Sequence, residues 1–181
     1  MIKEYGSIAR RDLDPALERV VTPPVRQVNQ QRVLETASTT AAVTASAYRL
    51  VLQTMPDGVA TLVAWTAEVV DTDTLHDNAV NNSRFTVPAA KPGVYRITSR
   101  LSIDVNAGNI SDFEIRVLVN GVEVADEVSG AQTTDFVIMI THEQFLNVAD
   151  YYEIQVLSTG NPVDVKPGSS ESYVVVNRQL I

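Results

Sequence analysis

Residues 94–105 alternate without a break. Tyr95, Ile97, Leu101, Ile103 and Val105 fall on one side, and Arg96, Thr98, Arg100 and Asp104 on the other. A period of two is what a half-buried strand requires. Phe113, Ile115, Val117 and Val119 repeat it. Asn120-Gly121 follows, a pair that tolerates the positive φ angles of a type I′ turn, and so predicts a hairpin returning through Val122 and Val124. Further strands are predicted over 48–54, 59–70 (with Trp65, the only tryptophan), 84–87, 136–141, 152–157 and 173–177. The turn Met55-Pro56-Asp57-Gly58, the Asp/Asn-rich loop 71–82 and the turn 88–93 separate the earlier ones. Short strands at this spacing predict an antiparallel sandwich or barrel.

Two strands break the alternation. Phe136-Val137-Ile138-Met139-Ile140 and Tyr173-Val174-Val175-Val176 are apolar on both faces. In an antiparallel sandwich one face of each strand packs on the opposite sheet and the other usually meets water. A strand apolar on both faces needs a second cover, either a loop or arm of the same chain or a neighbouring subunit. Subunit contact is the reading adopted, because several such strands would form one contiguous patch.

The strand pattern fades before residue 48. Asp14 can cap a short helix over about 14–21, with Pro15 where its missing N–H costs nothing and Glu18 in the favourable first turn. Ala16, Leu17, Val20 and Val21 give it an apolar stripe, and Thr22-Pro23-Pro24 ends it. Residues 25–36 are polar with scattered apolar positions, and 38–47 are small residues with no bulky anchor. Such a segment cannot build a core of its own. The chain is therefore divided into an arm, residues 1–47, and a head, residues 48–181. The arm is expected to be ordered against a partner or a neighbouring subunit rather than to be a free tail.

Composition sharpens the picture at three points. Among 181 residues there are 28 Val and 16 Thr against 12 Leu, the preference of a pleated surface rather than a helical one. There is no cysteine, which removes disulfides, thiolate nucleophiles and cysteine-held metals. The net charge is −8. It is unevenly spread: residues 1–35 hold six basic and five acidic groups, and the remainder eight basic and seventeen acidic. An acidic surface repels phosphate backbones, so nucleic acid is not an expected partner. No apolar run reaches membrane-span length, and the first fifteen residues lack the apolar core of a secretory signal. No membrane partner is expected, and the N-x-S matches at Asn81 and Asn109 are read as chance.

The order of landmarks carries a resemblance. Ala64-Trp65-Thr66, Asp77-Asn78, Phe85, Pro92-Gly93-Val94-Tyr95, residues 117–121, residues 136–140, Val148-Ala149-Asp150 with residues 152–156, and a closing apolar strand succeed one another over residues 63–181. This resembles the tumour-necrosis-factor-like jelly roll, of the type found in the globular head of complement component one q. The sequence departs from the family where Ala149-Asp150 replaces the usual Gly-Asp and where the closing strand lacks Phe-x-Gly. It also has neither the signal peptide nor the collagen stalk of secreted animal members. Similar heads occur in bacteriophage virion proteins, and these missing features point there. The resemblance implies a homotrimer packed around a three-fold axis, with Trp65, Val137, Met139, Tyr173 and Val175 expected at the subunit interface.

Catalytic chemistry is sparse. His76 and His142 are the whole supply of imidazole, and there is no G-x-S-x-G and no phosphate-cradling glycine loop. Asp71, Asp73 and Asp77 have some look of a calcium loop, but the turn glycine and the closing bidentate Glu are missing, with Asn82 in the latter's place. No metal or other cofactor is expected, and no enzymatic activity. The expected function is that of a trimeric phage virion protein, decorating or cementing the capsid surface after synthesis in the host cytoplasm. Arg10, Arg11, Leu13, Leu17, Arg19, Val20 and Val21 of the arm would anchor it to the major capsid protein. The alternative is the receptor-binding head of a tail fibre or tip, recognising a host glycan or protein.

Overall fold

The computed structural model describes residues 42–106 and 108–180. The expected helix over 14–21 and the anchoring residues Arg10, Arg11, Leu13, Leu17, Arg19, Val20 and Val21 lie outside the described residues. Within them the chain forms β1 (Thr44–Tyr48), β2 (Gln53–Met55), β3 (Thr61–Leu62), β4 (Ala67–Asp71), β5 (Arg84–Thr86) and β6 (Gly93–Asp104). It continues through β7 (Asp112–Val119), β8 (Val122–Val128), β9 (Phe136–Leu146), β10 (Tyr151–Thr159), β11 (Val163–Val165) and β12 (Tyr173–Arg178).

The strands make two antiparallel sheets. One runs β2–β11–β6–β12–β1–β4, and β9 takes the opposite edge of β6 in register from Gly93↔Leu146 to Ile103↔Phe136. The other runs β3–β10–β7–β8, with β5 beside β3 on the same edge of β10. Consecutive strands keep changing sheet, which is the winding of a jelly roll.

The alternation read from the sequence builds the interior. Tyr95, Ile97, Leu101 and Ile103 of β6 and Phe113, Ile115 and Val117 of β7 are fully buried. Each such side chain contributes roughly 1.5–3 kcal/mol relative to exposure. Two tyrosines tie the layers together. The Tyr152 hydroxyl donates to the carbonyl of Tyr95 at 3.0 Å, and burial pushes its phenol up to about 12. The Tyr95 hydroxyl donates to the Lys91 carbonyl at 2.7 Å. At the β7–β8 turn Asn120 and Gly121 have φ of 52° and 77°, the two positive angles that type I′ demands.

Three expectations are corrected. First, the head begins at Ala42 rather than at residue 48, because the compact unit is Ala42–Ile181. The small-residue run assigned to the arm contains β1, a central strand paired with β12 on one edge and β4 on the other. Ala45 and Ala47 are buried; a strand held by two neighbours can bring them small side chains. Second, the strand expected over 48–54 is two strands with a corner between them. Arg49 is buried and makes that corner, donating to the Val51 carbonyl at 3.1 Å and also to Gln53 Oε1 and the Ala64 carbonyl. Burial lowers its guanidinium below the usual value.

Third, the strand expected over 59–70 is divided between sheets. β3 pairs with β10 and β4 with β1. The backbone records the crossing, since Val63 N donates to the Ile154 carbonyl at 2.9 Å and Thr66 N to the Tyr48 carbonyl at 3.0 Å. Trp65 lies in the crossing with no exposed surface.

The turn before β10 tests a departure seen in the sequence. Ala149 has φ of 70°, in the left-handed region that favours glycine. Asp150 holds the turn, accepting from Asn147 N at 2.7 Å and from Asn120 Nδ2 at 2.8 Å, and these donors lower its carboxyl pKa. Ala149→Gly is expected to raise stability by about 0.5 kcal/mol, the relief of the strained angle outweighing glycine's added freedom in the unfolded chain. The denaturant midpoint measures it, and a lower midpoint would refute the strain.

Candidate functional site

The feature with the clearest potential for assembly is the outward face of the β6-containing sheet. Because side chains alternate, the residues of β9 between the buried ones point away from the core. Val137 and Met139 are 48% and 50% exposed, and Phe145 60%. Register carries this face across the sheet. Met139 stands opposite Arg100, Arg100 opposite Tyr173, and Tyr173 opposite Tyr48. The next row is Thr141, Thr98, Val175, Ser46 and Val70. Tyr173 and Val175 are half-buried. β9 and β12 flank β6, so their outward residues lie about 10 Å apart with a single strand between them.

Several polar groups on this face are already partnered. Arg96 pairs with Glu143 at 2.7 Å. Arg100 Nη1 donates to the carbonyls of Ser170 and Glu171. The hydroxyls of Thr98 and Thr141 lie 3.1 Å apart, and Thr44 Oγ1 donates to Asn177 Oδ1 at 2.9 Å. Groups paired in this way can be dried at lower cost than donors that depend on water.

Val137, Met139, Tyr173 and Val175 thus share one surface. Trp65 does not: it sits in the interior of the head and has no surface to offer a neighbour. Its aromatic bulk reads equally well as interface or core in the sequence, and its place at the sheet crossing makes it core. Phe145 was missed although the alternation Val137, Met139, Thr141, Glu143, Phe145 runs straight to it, because the predicted strand stopped at residue 141 and β9 continues to Leu146.

The other sequence candidates have structural duties. Asp71 Oδ1 accepts from the amides of Asp73 and Leu75, and Oδ2 from that of His76. Asp77 Oδ1 accepts from Ala79 N and Val80 N, which lowers its carboxyl pKa. Asp73 faces Lys91 at 3.6 Å. These aspartates build a loop, and among the described residues no three acidic or imidazole groups are disposed to hold a metal ion. His76 is buried, stacked on Phe85 at 4.7 Å between ring centroids. Its Nδ1 lies 2.9 Å from Glu68 Oε1 and its Nε2 3.0 Å from the Asn82 carbonyl. His142 lies 3.0 Å from Gln144 Oε1 and meets the Tyr152 ring edge-on.

No protein-family model and no curated protein sequence matches the chain. Solved structures do. Murine APRIL at pH 5.0 matches with a TM-score of 0.56 and 8% identity over 77% of this chain and 100% of that one. The globular domain of zebrafish complement 1qA protein matches with a TM-score of 0.50 and 16% identity over 77% of this chain and 97% of that one. The strand order, the two antiparallel sheets and these matches lead to one conclusion: the head is a jelly roll of the tumour-necrosis-factor and complement-globular-head type.

Proposed function

We propose that this chain is a non-enzymatic, homotrimeric structural protein of a bacteriophage virion, which decorates or cements the capsid by attaching its N-terminal arm to the major capsid protein. The observation that carries the trimer is the broad outward face of Val137, Met139, Phe145, Tyr173 and Val175, beside which Arg96 pairs with Glu143, Thr98 with Thr141, and Arg100 with backbone carbonyls. A non-catalytic role is supported by the two histidines, both engaged in packing and local hydrogen bonds. The arm reading rests on charge: residues 1–35 hold six basic and five acidic groups while the rest of the chain is strongly acidic. Three arms per trimer would bind together, so modest individual contacts combine into tight attachment.

The test is decoration of purified capsids by the full chain and by a chain beginning at Ala42, followed by electron microscopy. The full chain is expected to coat capsids in many copies, and the shortened chain to remain a soluble trimer that leaves them bare. Full occupancy by the shortened chain would move attachment to the head. Full-length protein that ignores capsids and binds host cells would replace this reading with that of a receptor-binding head.

A further inference from the structure

An open groove of about 740 Å³ lies between the loop that follows β4 and the neighbouring ends of β5 and β10. Its size falls within the range of roughly 300–1,000 Å³ usual for small-molecule sites. We propose that it binds a neutral saccharide of one or two hexose units. The inference stands on the head's own geometry and is independent of how the arm attaches.

The loop that walls the groove is held by the head's own hydrogen bonds. Asp71 and Asp77 together take five backbone amides of the loop. His76 anchors the loop from beneath by its stack on Phe85, and Thr86 N donates to the Leu75 carbonyl at 2.7 Å. A wall fixed in advance spares a weak ligand the cost of ordering it.

The lining has the mixed character that a sugar ring requires. A hexose presents apolar C–H faces bounded by hydroxyls that both donate and accept. Tyr151 and Val80 supply apolar surface. The side-chain amides of Asn78 and Asn81 and the hydroxyl of Thr86 line the groove and make no hydrogen bond with other described residues. Arg84 is held through Nε by Glu153 Oε1 at 3.0 Å and lies 4.2 Å over the Tyr151 ring. Its two terminal nitrogens have no such partner among the described residues. Together these groups offer planar donors and acceptors beside the apolar side chain of Val80 and the guanidinium-capped ring of Tyr151.

Charge narrows the class. Arg84 over the ring opposes a cationic ligand that would otherwise seek an aromatic face. Glu68 and Asp77 line the same groove in a head with seventeen acidic against eight basic groups beyond residue 35, which opposes an anionic one. A neutral polyhydroxyl ligand meets neither objection.

The experiment titrates the full chain with glucose, galactose, mannose, N-acetylglucosamine, lactose and maltose, followed by saturation-transfer NMR and calorimetry, with glucuronate and choline as charged probes. At least one neutral sugar is expected to bind saturably in the millimolar range. Asn78→Ala, a change in an exposed loop side chain, should weaken it about tenfold, the loss of one well-placed hydrogen-bonding group. Val80→Arg should block the groove, while Val124→Ala on β8 should leave binding intact. The proposal is overturned if no neutral sugar saturates, if Asn78→Ala and Val80→Arg leave affinity unchanged, or if glucuronate or choline binds in preference.

Discussion

A chain beginning at Ala42 is expected to fold with the full β signal and a cooperative melt, whereas one beginning at Arg49 is expected to precipitate or remain unfolded. The few residues between these starting points are Ala42, Val43 and β1. The strand is hydrogen-bonded on both edges, from Thr44↔Asn177 to Tyr48↔Tyr173 on one side and from Ala45↔Asp71 to Tyr48↔Ala67 on the other. Removing it unpairs two strands at once and opens the core where Val43, Ala45 and Ala47 are buried. At about 1 kcal/mol for each backbone hydrogen bond, with apolar burial added, the loss is on the order of 10 kcal/mol, comparable with the whole stability of a domain. Circular dichroism and sedimentation decide it. A chain beginning at Arg49 that melts like one beginning at Ala42 would show that β1 is dispensable.

Val175→Asp is expected to convert the proposed trimer into single chains of 19.8 kDa that remain folded. Val175 stands in the middle of the outward face, between Thr98 of β6 and Ser46 of β1. In a separate head the new carboxylate is half-exposed and finds water. In the proposed trimer it would be enclosed without a partner, at a cost of several kcal/mol for each copy. Met139→Asp provides a second measurement at a position half open to solvent, where the fold is tolerant. Sedimentation or mass photometry at micromolar concentration reads both. An unchanged trimer in the two variants would remove this face from the assembly, and a folded wild-type monomer would remove the trimer itself.

Legibility in the sequence followed side-chain size. β6 and β7 were readable because large apolar and polar residues alternate along them, and the β7–β8 hairpin because few residue pairs accept two positive φ angles. β1 was not readable, because its inward residues, Ala45 and Ala47, leave almost no periodic signal. Its strand character resides in backbone pairing with partners far along the chain. The crossing at Trp65 was hidden for the opposite reason: residues 59–70 are rich enough in apolar positions to suit one long strand, and no glycine or proline marks residues 63–66 as the change of sheet. Of the outward face of the β6-containing sheet, the doubly apolar runs in β9 and β12 marked Val137, Met139, Tyr173 and Val175, but Phe145 and the Arg96–Glu143 pair depend on a register that only the fold supplies. Asp71 and Asp77 looked like ligands because the side chain that suits a cation also caps backbone amides.

The antiparallel neighbourhood of β1 and β12 has a practical consequence for peptide display. Thr44 lies opposite Asn177, and Arg178 N donates to the Val43 carbonyl at 2.9 Å, so the chain enters and leaves the head at one end. Cargo appended after β12 would emerge beside the entry point and share its surroundings. The segment between β8 and β9 lies at the other end of β6, since Phe136 pairs with Ile103 while Asn177 pairs with Arg96. Its exposed tip around Gly130 and Thr133 is a surface loop of the kind that accepts inserted sequence. An epitope grafted there would be carried at the head's far pole, away from both chain junctions.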